Sequence, residues 1–163
     1  PFLALGWYLA ALVVILLNRL LDGLDGALAR RRGLTDAGGF LDISLDFLFY
    51  ALVPFGFILA APQQNALAGG WLLFAFIGTG SSFLAFAALA AKHQIDNPGY
   101  AHKSFYYLGG LTEGTETILL FVLGCLFPAW FAWFAWIFGA LCWMTTLTRV
   151  WSGYLTLKSL QRQ

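Results

Sequence analysis

The stretch GFLDISLDFLFYALVPFGFILAA, residues 39–61, decides what kind of fold this chain adopts. An α-helix needs about 20 predominantly apolar residues to cross the hydrocarbon core of a bilayer, and this stretch supplies them. Its charged residues are Asp42 and Asp46, which lie four positions apart and therefore on one face of a helix. A charged side chain inside a membrane is costly and usually functional. The stretch therefore predicts a transmembrane helix that carries part of a polar site.

The composition of the whole chain agrees with this interpretation. Of its 163 residues, 60% are hydrophobic and only 10% are charged, and the mean hydropathy is +0.76. A soluble domain has about 25% charged residues. The chain therefore has too few charges for an ordinary cytosolic globular protein, a disordered chain or a nucleic-acid-binding domain.

Five apolar segments follow one another, separated by short polar connectors. They are residues 2–21, 39–61, 66–91, 105–127 and 129–155. We therefore predict an all-α fold, a polytopic transmembrane helix bundle with five spans and a single domain over residues 1–163. The first helix is expected to continue beyond the membrane surface to about residue 31. Residues 31–37 and 61–65 are predicted turns, and Pro128 is expected to break the helix between the last two spans.

The basic residues outside the spans all fall on one side of the predicted bundle. They are Arg30, Arg31, Arg32, Lys92, Lys103, Lys158 and Arg162. Because loops rich in Lys and Arg face the cytoplasm, we assign this side to the cytoplasm. Pro1 then lies on the outer face, and we expect one more helix before it. The intact protein is therefore expected to have six spans.

Half of the acidic residues are concentrated at the cytoplasmic ends of the first two predicted helices. Asp22 and Asp25 are three positions apart, and Asp42 and Asp46 are four apart, so each pair shares a helix face. The turn between the helices makes them antiparallel, so the two pairs reach a similar depth. We therefore expect four carboxylates to converge near the cytoplasmic surface.

Four negative charges in one pocket repel one another strongly, so cations must neutralise them. Carboxylate oxygens suit Mg²⁺, Mn²⁺ or Ca²⁺ rather than zinc, and two divalent cations that share such a group form a two-metal site for phosphoryl transfer. The structural alternative is a network of ion pairs with neighbouring arginines. These are Arg19, Arg30, Arg31 and Arg32. The cost of intramembrane carboxylates favours the metal site.

Small residues accompany the aspartates. Gly26 and Ala29 lie on the first helix, and Gly38 is expected to open the second. Without large side chains a ligand can approach the backbone closely, although close packing of two helices is the alternative. Beside four aspartates, a nucleotide base or a phosphate on this face is the better interpretation, and Arg30 is a fixed cation suited to a phosphate.

Together these residues form a single pattern. It reads Asp22-x-x-Asp25-Gly26-x-x-Ala29-Arg30, seven further residues, and Gly38-x-x-x-Asp42-x-x-x-Asp46. These eight fixed residues resemble the signature of the CDP-alcohol phosphatidyltransferase family, and the chain is particularly similar to a bacterial inner-membrane member. The resemblance implies an enzyme that transfers a substituted phosphate group, such as a phosphatidyl group, from a CDP-alcohol to an acceptor hydroxyl and releases CMP.

The resemblance also implies roles for the acidic residues. Asp22, Asp25 and Asp42 would hold the metal ions. Asp46 would contact a metal and act as the general base that takes the proton of the acceptor hydroxyl. The implied cofactors are two divalent cations, either Mg²⁺ or Mn²⁺.

The remaining residues of the pattern are implied to bind the donor. Gly26 and Ala29 would line the cytidine slot, and Arg30 would hold a donor phosphate. Thr35 in the turn and Gly38 would complete this donor site. The expected donor is a CDP-linked lipid, CDP-diacylglycerol, because the site opens among lipid-facing helices.

The acceptor is expected to be a small alcohol, and family precedent suggests glycerol 3-phosphate. Arg149 in the last span and Lys103 at the start of the fourth would hold its anionic group. Alternatively, Arg149 pairs with Glu113 or Glu116, and Lys103 extends its ammonium group to the membrane surface.

Other readings stay open beside this one. The family also contains the opposite arrangement, a soluble CDP-alcohol donor with a lipid acceptor. A prenyltransferase is disfavoured because its two aspartate-rich motifs are well separated in a longer chain. An ion or proton transporter would use the carboxylates as a relay, but such sites usually lie near the membrane midplane between repeats. We expect a bacterial inner-membrane protein whose active site faces the cytoplasm, with membrane lipids as partners and no nucleic acid. The small residues also permit a homodimer.

Overall fold

The computed structural model describes residues 1–33, 35–93, 112 and 114–160, except the side chains of Arg32 and Leu160. Over this part the chain forms five α-helices and no strand. They are α1 (Tyr8–Arg32), α2 (Asp36–Ala60), α3 (Pro62–Lys92), α4 (Gly114–Leu126) and α5 (Phe131–Leu160), with a short 3₁₀ turn at Pro128–Trp130. The predicted all-α membrane bundle is confirmed.

Three stretches of the described chain are long and apolar enough to cross a membrane. They are α2, α3 and the segment Pro128–Ser159, which holds α5. Helix α1 falls short because Arg19, Asp22 and Asp25 all enter within its first 18 residues. Helix α4 is a shorter apolar helix of 13 residues. For α1 and α4 the spanning role stays a prediction, as does the sixth span.

Two predicted boundaries shift at the start of the chain. The first apolar segment does not form a helix from residue 2, because α1 begins only at Tyr8 after a series of turns. The predicted turn at residues 31–37 is shorter, since α1 continues to Arg32 and α2 already begins at Asp36. The left-handed φ of Gly33, 104°, lets the chain leave α1 abruptly.

The predicted polar turn at residues 61–65 is wrong. Only Ala61 separates α2 from α3, because Pro62 takes the first helical position, where its missing N–H costs nothing. Asn65 therefore lies inside α3 and is buried, with 2% of its surface exposed. Its side-chain amide donates a hydrogen bond to the Phe57 carbonyl at 2.8 Å and ties α3 to the end of α2. The predicted helix break at Pro128 is confirmed.

Side-chain contacts show that α1 and α2 are antiparallel. Tyr8, at the start of α1, stacks on Phe57, near the end of α2. Eleven residues further along α1, Arg19 reaches Asp46, which lies eleven residues earlier in α2. The two helices are therefore in the register that places Asp22 level with the first turns of α2.

Helices α3 and α5 run parallel to each other. Trp71 of α3 contacts Trp136 of α5, and further along both helices Thr79 contacts Arg149. Since α2 and α3 form a hairpin, α1, α3 and α5 all end on the same side of the bundle. The described cations at helix ends therefore gather there. They are Arg30, Arg31, Lys92 and Lys158.

Aromatic packing holds the opposite side together. The rings of Phe57 and Phe131 stack with their centroids 4.0 Å apart, and both residues are fully buried. Phe121 of α4 and Leu72 of α3 belong to the same buried cluster. This cluster fixes the helices at the end remote from the aspartates, so the other end is free to form a polar site.

Candidate active site

The C-terminal part of α1 presents one polar face. Asp22 is half-buried and Asp25 is exposed, and both lie on the face that also carries Gly26 and Ala29. The helix is regular through this region because its leucines and alanines favour the helical conformation. We call the region around Asp22 and Asp25, together with the facing part of α2, the aspartate end.

Helix α2 begins with a capped turn. The hydroxyl of Thr35 accepts a hydrogen bond from the Gly38 N–H at 3.1 Å, which satisfies one of the unpaired donors of the first turn. From this start, Asp42 and Asp46 follow at helical spacing on one face. Asp42 is exposed and Asp46 is half-buried.

Asp22 lies within the electrostatic influence of the other three predicted carboxylates. Burial raises the pKa of Asp22, which lies beyond the apolar run of α1, and the Arg19 guanidinium opposes that rise. The negative charges of Asp46, Asp42 and Asp25 raise it further. Asp22 therefore interacts with all three other aspartates, as expected for side chains that share one end of two antiparallel helices.

Arg19 forms ion pairs with two of these aspartates. Its guanidinium lies 2.9 Å from an Asp46 carboxylate oxygen and 3.5 Å from an oxygen of Asp22. The guanidinium also lies over the Phe49 ring, 4.5 Å from its centroid. One part of the structural alternative, ion pairing with arginine, is therefore present. Arg30 and Arg31 form no ion pair among the described residues.

The aspartates fit a divalent metal by chemistry. They supply only oxygen donors, the charges of the other three act on Asp22, and the pattern contains no His or Cys. Within the described part of the chain, however, no three acidic, His or Cys side chains already surround a common point that would hold an ion. The guanidinium of Arg19 engages the two half-buried carboxylates instead.

A cavity of about 420 Å³ opens beside these carboxylates. Its lining combines charged, hydroxyl-bearing and apolar residues. They are Arg19, Asp22, Asp46, Tyr50, Gly114, Thr115 and Ile118. The cavity joins α1, α2 and the first turn of α4, and its volume suits a small molecule.

The glycines of the pattern do not serve contacts between helices. A methyl group added at Gly26 would meet only the guanidinium of Arg30, four residues further along the same helix, at 3.4 Å. One added at Gly38 would meet the Thr35 hydroxyl at 3.0 Å, within the cap of α2. Among the residues that the structure describes, no side chain of another helix lies within 4 Å of either position, and this leaves the face around Gly26 open to a ligand.

Of the two predicted acceptor residues, Arg149 does not line this cavity in the described structure. Arg149 faces α3, where it donates a hydrogen bond to the Thr79 carbonyl at 2.9 Å. Its guanidinium also lies 5.6 Å from the centroid of the Phe83 ring. Lys103 and Glu113 lie outside the described residues.

Three polar residues of the cavity, Arg19, Tyr50 and Thr115, were not predicted as site residues from the sequence. Arg19 lies three residues before Asp22 and Tyr50 four residues after Asp46, so the helical repeat places each on the face of its aspartate. That spacing was the available signal. Thr115 belongs to a separate helix, and only the packing of α4 beside α1 brings it to the cavity.

Comparison with known proteins identifies the family. The profile of the family CDP-alcohol phosphatidyltransferase matches residues 2–151. The chain therefore belongs to the CDP-alcohol phosphatidyltransferase family, whose enzymes use a CDP-alcohol donor and an alcohol acceptor and are generally dependent on divalent metals. It is 98% identical over 163 residues to the Inner membrane protein YnjF of Escherichia coli (strain K12), covering 100% of this chain and 79% of that relative. No solved structure matches the chain.

Proposed function

We propose that the chain catalyses metal-dependent transfer of a phosphatidyl group from CDP-diacylglycerol to a small alcohol, with release of CMP, in phospholipid biosynthesis. One observation carries this proposal. Asp46 shares the Arg19 guanidinium with Asp22 and at the same time lines the cavity of about 420 Å³. The same carboxylate can therefore reach the metal site and the hydroxyl of a molecule bound in that cavity.

The aspartates hold the metal ions in this proposal. Asp22, Asp25 and Asp42 would serve as ligands, and Asp46 would both contact a metal and act as the base for the acceptor proton. Two bound divalent cations, Mg²⁺ or Mn²⁺, would neutralise the charge of the diphosphate and of the leaving CMP. Asp46 then takes the proton as the acceptor oxygen attacks the phosphorus in line.

The open face of α1 receives the nucleotide. Gly26 and Ala29 leave room for the cytidine, and Arg30, which lies over Gly26, is placed to hold a donor phosphate. Thr35 and Gly38 act here through the cap that fixes the start of α2, and they complete the donor site.

The acceptor hydroxyl binds in the cavity next to Asp46. Glycerol 3-phosphate is the proposed acceptor, and Arg149 and Lys103 are the proposed holders of its anionic group. Arg149 lies near the end of the bundle that carries the other cations, in the part of α5 that contacts Thr79. The cavity beside Asp46 and the region around Arg149 are therefore two candidate positions for the acceptor, formed by different helices.

We place the protein in a bacterial inner membrane, because its near-identical relative is named an inner membrane protein. The cations at the ends of α1, α3 and α5 support an active site that faces the cytoplasm. Membrane lipids and a second copy of the chain complete the proposed partners. Light scattering on the purified protein in detergent checks the dimer.

The decisive experiment measures CMP release. Purified protein in lipid nanodiscs is given CDP-diacylglycerol, Mg²⁺ or Mn²⁺, and a panel of alcohols that includes glycerol 3-phosphate. We expect CMP release that stops when a chelator removes the metal. We also expect Asp46→Asn to slow it by about 100-fold or more, because the general base is lost. Asp36→Asn, in the exposed first turn of α2, is the matched control and should retain activity.

Other outcomes separate the alternatives. Unchanged CMP release in Asp46→Asn would refute the assignment of the base. CMP release only from a soluble CDP-alcohol, with a lipid as acceptor, would reverse the roles of donor and acceptor. Ion flux across proteoliposomes without any CMP release would favour a transporter.

A further inference from the structure

Arg19 is held more firmly than an ordinary surface arginine. Only 18% of its side chain is exposed. Its guanidinium donates hydrogen bonds to the Asn18 amide oxygen and to the Asp46 carboxylate, both at 2.9 Å. The guanidinium also lies over the Phe49 ring. Such a cation on an aromatic face, paired with a carboxylate, has a defined position.

The two carboxylates that Arg19 engages are the half-buried ones of the four. Asp22 and Asp46 each give it an oxygen, whereas Asp25 and Asp42 are exposed. A metal at the aspartate end would need oxygens of the same two side chains. An arginine does not lose its proton at any ordinary pH, so it cannot yield these oxygens by becoming neutral. It can yield them only by moving.

We propose that Arg19 is an internal cation that occupies the Asp22 and Asp46 carboxylates until a divalent metal displaces it, so that Arg19 sets the metal affinity of the site. This inference rests on the metal site of the proposed function. It explains why Asp22 and Asp46 both contact Arg19 while no three ligand side chains of the described residues surround a common point. The cavity bounded by Arg19 and Tyr50 offers space for the displaced guanidinium.

A purely structural role for Arg19 predicts the opposite sign. If Arg19 held Asp46 in place for the metal, its removal would weaken metal binding. If Arg19 competes with the metal, its removal tightens binding, because a competing positive charge is gone. The direction of the change in metal affinity therefore decides between the two roles.

The experiment measures Mn²⁺ binding by electron paramagnetic resonance, without any substrate, on the full chain in nanodiscs. We expect Arg19→Gln to lower the Kd for Mn²⁺ by about tenfold or more, which corresponds to about 1.4 kcal/mol. Arg31→Gln is the matched control, because it also removes a positive charge from α1, but Arg31 forms no ion pair in the described structure. We expect it to change the Kd less than threefold. Arg19→Lys, which keeps the charge, should stay close to the wild type.

A second measurement guards against loss of folding in the variant. Mn²⁺ should raise the Tm of Arg19→Gln by more than that of the wild type, since tighter binding stabilises the folded state more. A Kd for Arg19→Gln that is unchanged or higher than that of the wild type overturns the inference.

The proposed function and the inference about Arg19 can be refuted independently of each other. If the wild type binds Mn²⁺ and releases CMP but Arg19→Gln binds Mn²⁺ no better, only the inference about Arg19 is wrong. If no CMP is released but Arg19→Gln still binds Mn²⁺ more tightly, the inference stands and the proposed reaction is wrong.

Discussion

Glycine serves two different purposes at the two ends of this bundle. Between α3 and α5, a methyl group added at Gly139 would collide with the indole of Trp71. At the aspartate end, a methyl group added at Gly23 would meet nothing within 4 Å, and one added at Gly26 would meet only Arg30 of its own helix. The first kind of glycine lets two helices approach each other, and the second leaves a surface open.

The difference indicates that one region of the molecule provides stability and the other provides a surface for ligands. The α3–α5 interface and the aromatic cluster around Phe57 are tightly filled and hold the bundle together. The aspartate end is joined by the bridge from Arg19 to Asp46, and many of its residues are exposed. Substitutions in the first region should therefore change stability, and substitutions in the second should change ligand binding.

The largest expected effect tests the packed region at Phe57. Phe57→Ala should lower the free energy of unfolding by about 3 kcal/mol. This is the lower end for such changes, because lost packing rather than lost burial from water dominates in a membrane. Phe55→Ala is the control, since Phe55 is 48% exposed on the same helix. Thermal unfolding in detergent measures both, and equal losses would contradict the division.

The next effect concerns a packing glycine. Gly139→Ala should destabilise the protein by about 1–3 kcal/mol, because the Trp71 indole must shift to admit the methyl group. The control is Gly70→Ala in α3, where the added methyl group meets nothing within 4 Å. It should leave the Tm unchanged or raise it slightly, as alanine favours the helix. A similar loss in both variants would show that space between helices is not what matters.

A smaller effect is expected at the open surface. Gly26→Ala should leave the Tm unchanged or higher, because its methyl group makes only an ordinary contact with Arg30. The same methyl group would intrude on the proposed nucleotide slot and raise the KM for the CDP-linked donor by about tenfold. Gly23→Ala should retain the wild-type KM. If Gly26→Ala is less stable but binds the donor normally, the role of Gly26 is helix packing and not ligand binding.

The smallest effect lies at the turn between the two parts of the motif. Thr35→Ala removes the hydroxyl that caps α2 and should cost about 1 kcal/mol of stability. Thr35→Ser keeps a capping hydroxyl and should restore most of that loss. Thermal unfolding of the two variants checks this. Equal stability of Thr35→Ala and the wild type would show that the cap contributes nothing.

The sequence predicted the membrane bundle and the family correctly, because both depend on features carried along the chain. Apolar segments of helical length must bury in lipid whatever they pack against, and the aspartate pattern covers only residues 22–46. The error at residues 61–65 arose because polar residues resemble a turn in sequence. In the structure, Asn65 is buried, and its side-chain N–H donates a hydrogen bond to the Phe57 carbonyl of the neighbouring helix.

The helical repeat by itself determined that Asp22 and Asp25 share one face and that Asp42 and Asp46 share another, since that spacing is fixed by local backbone geometry. Only the tertiary structure decided that Arg19 bridges the two faces and that Thr115 of a distant helix lines the same cavity. The physical reason is that contacts between helices depend on their register and packing. The side chains of the whole bundle set these together, and no single stretch of sequence contains them.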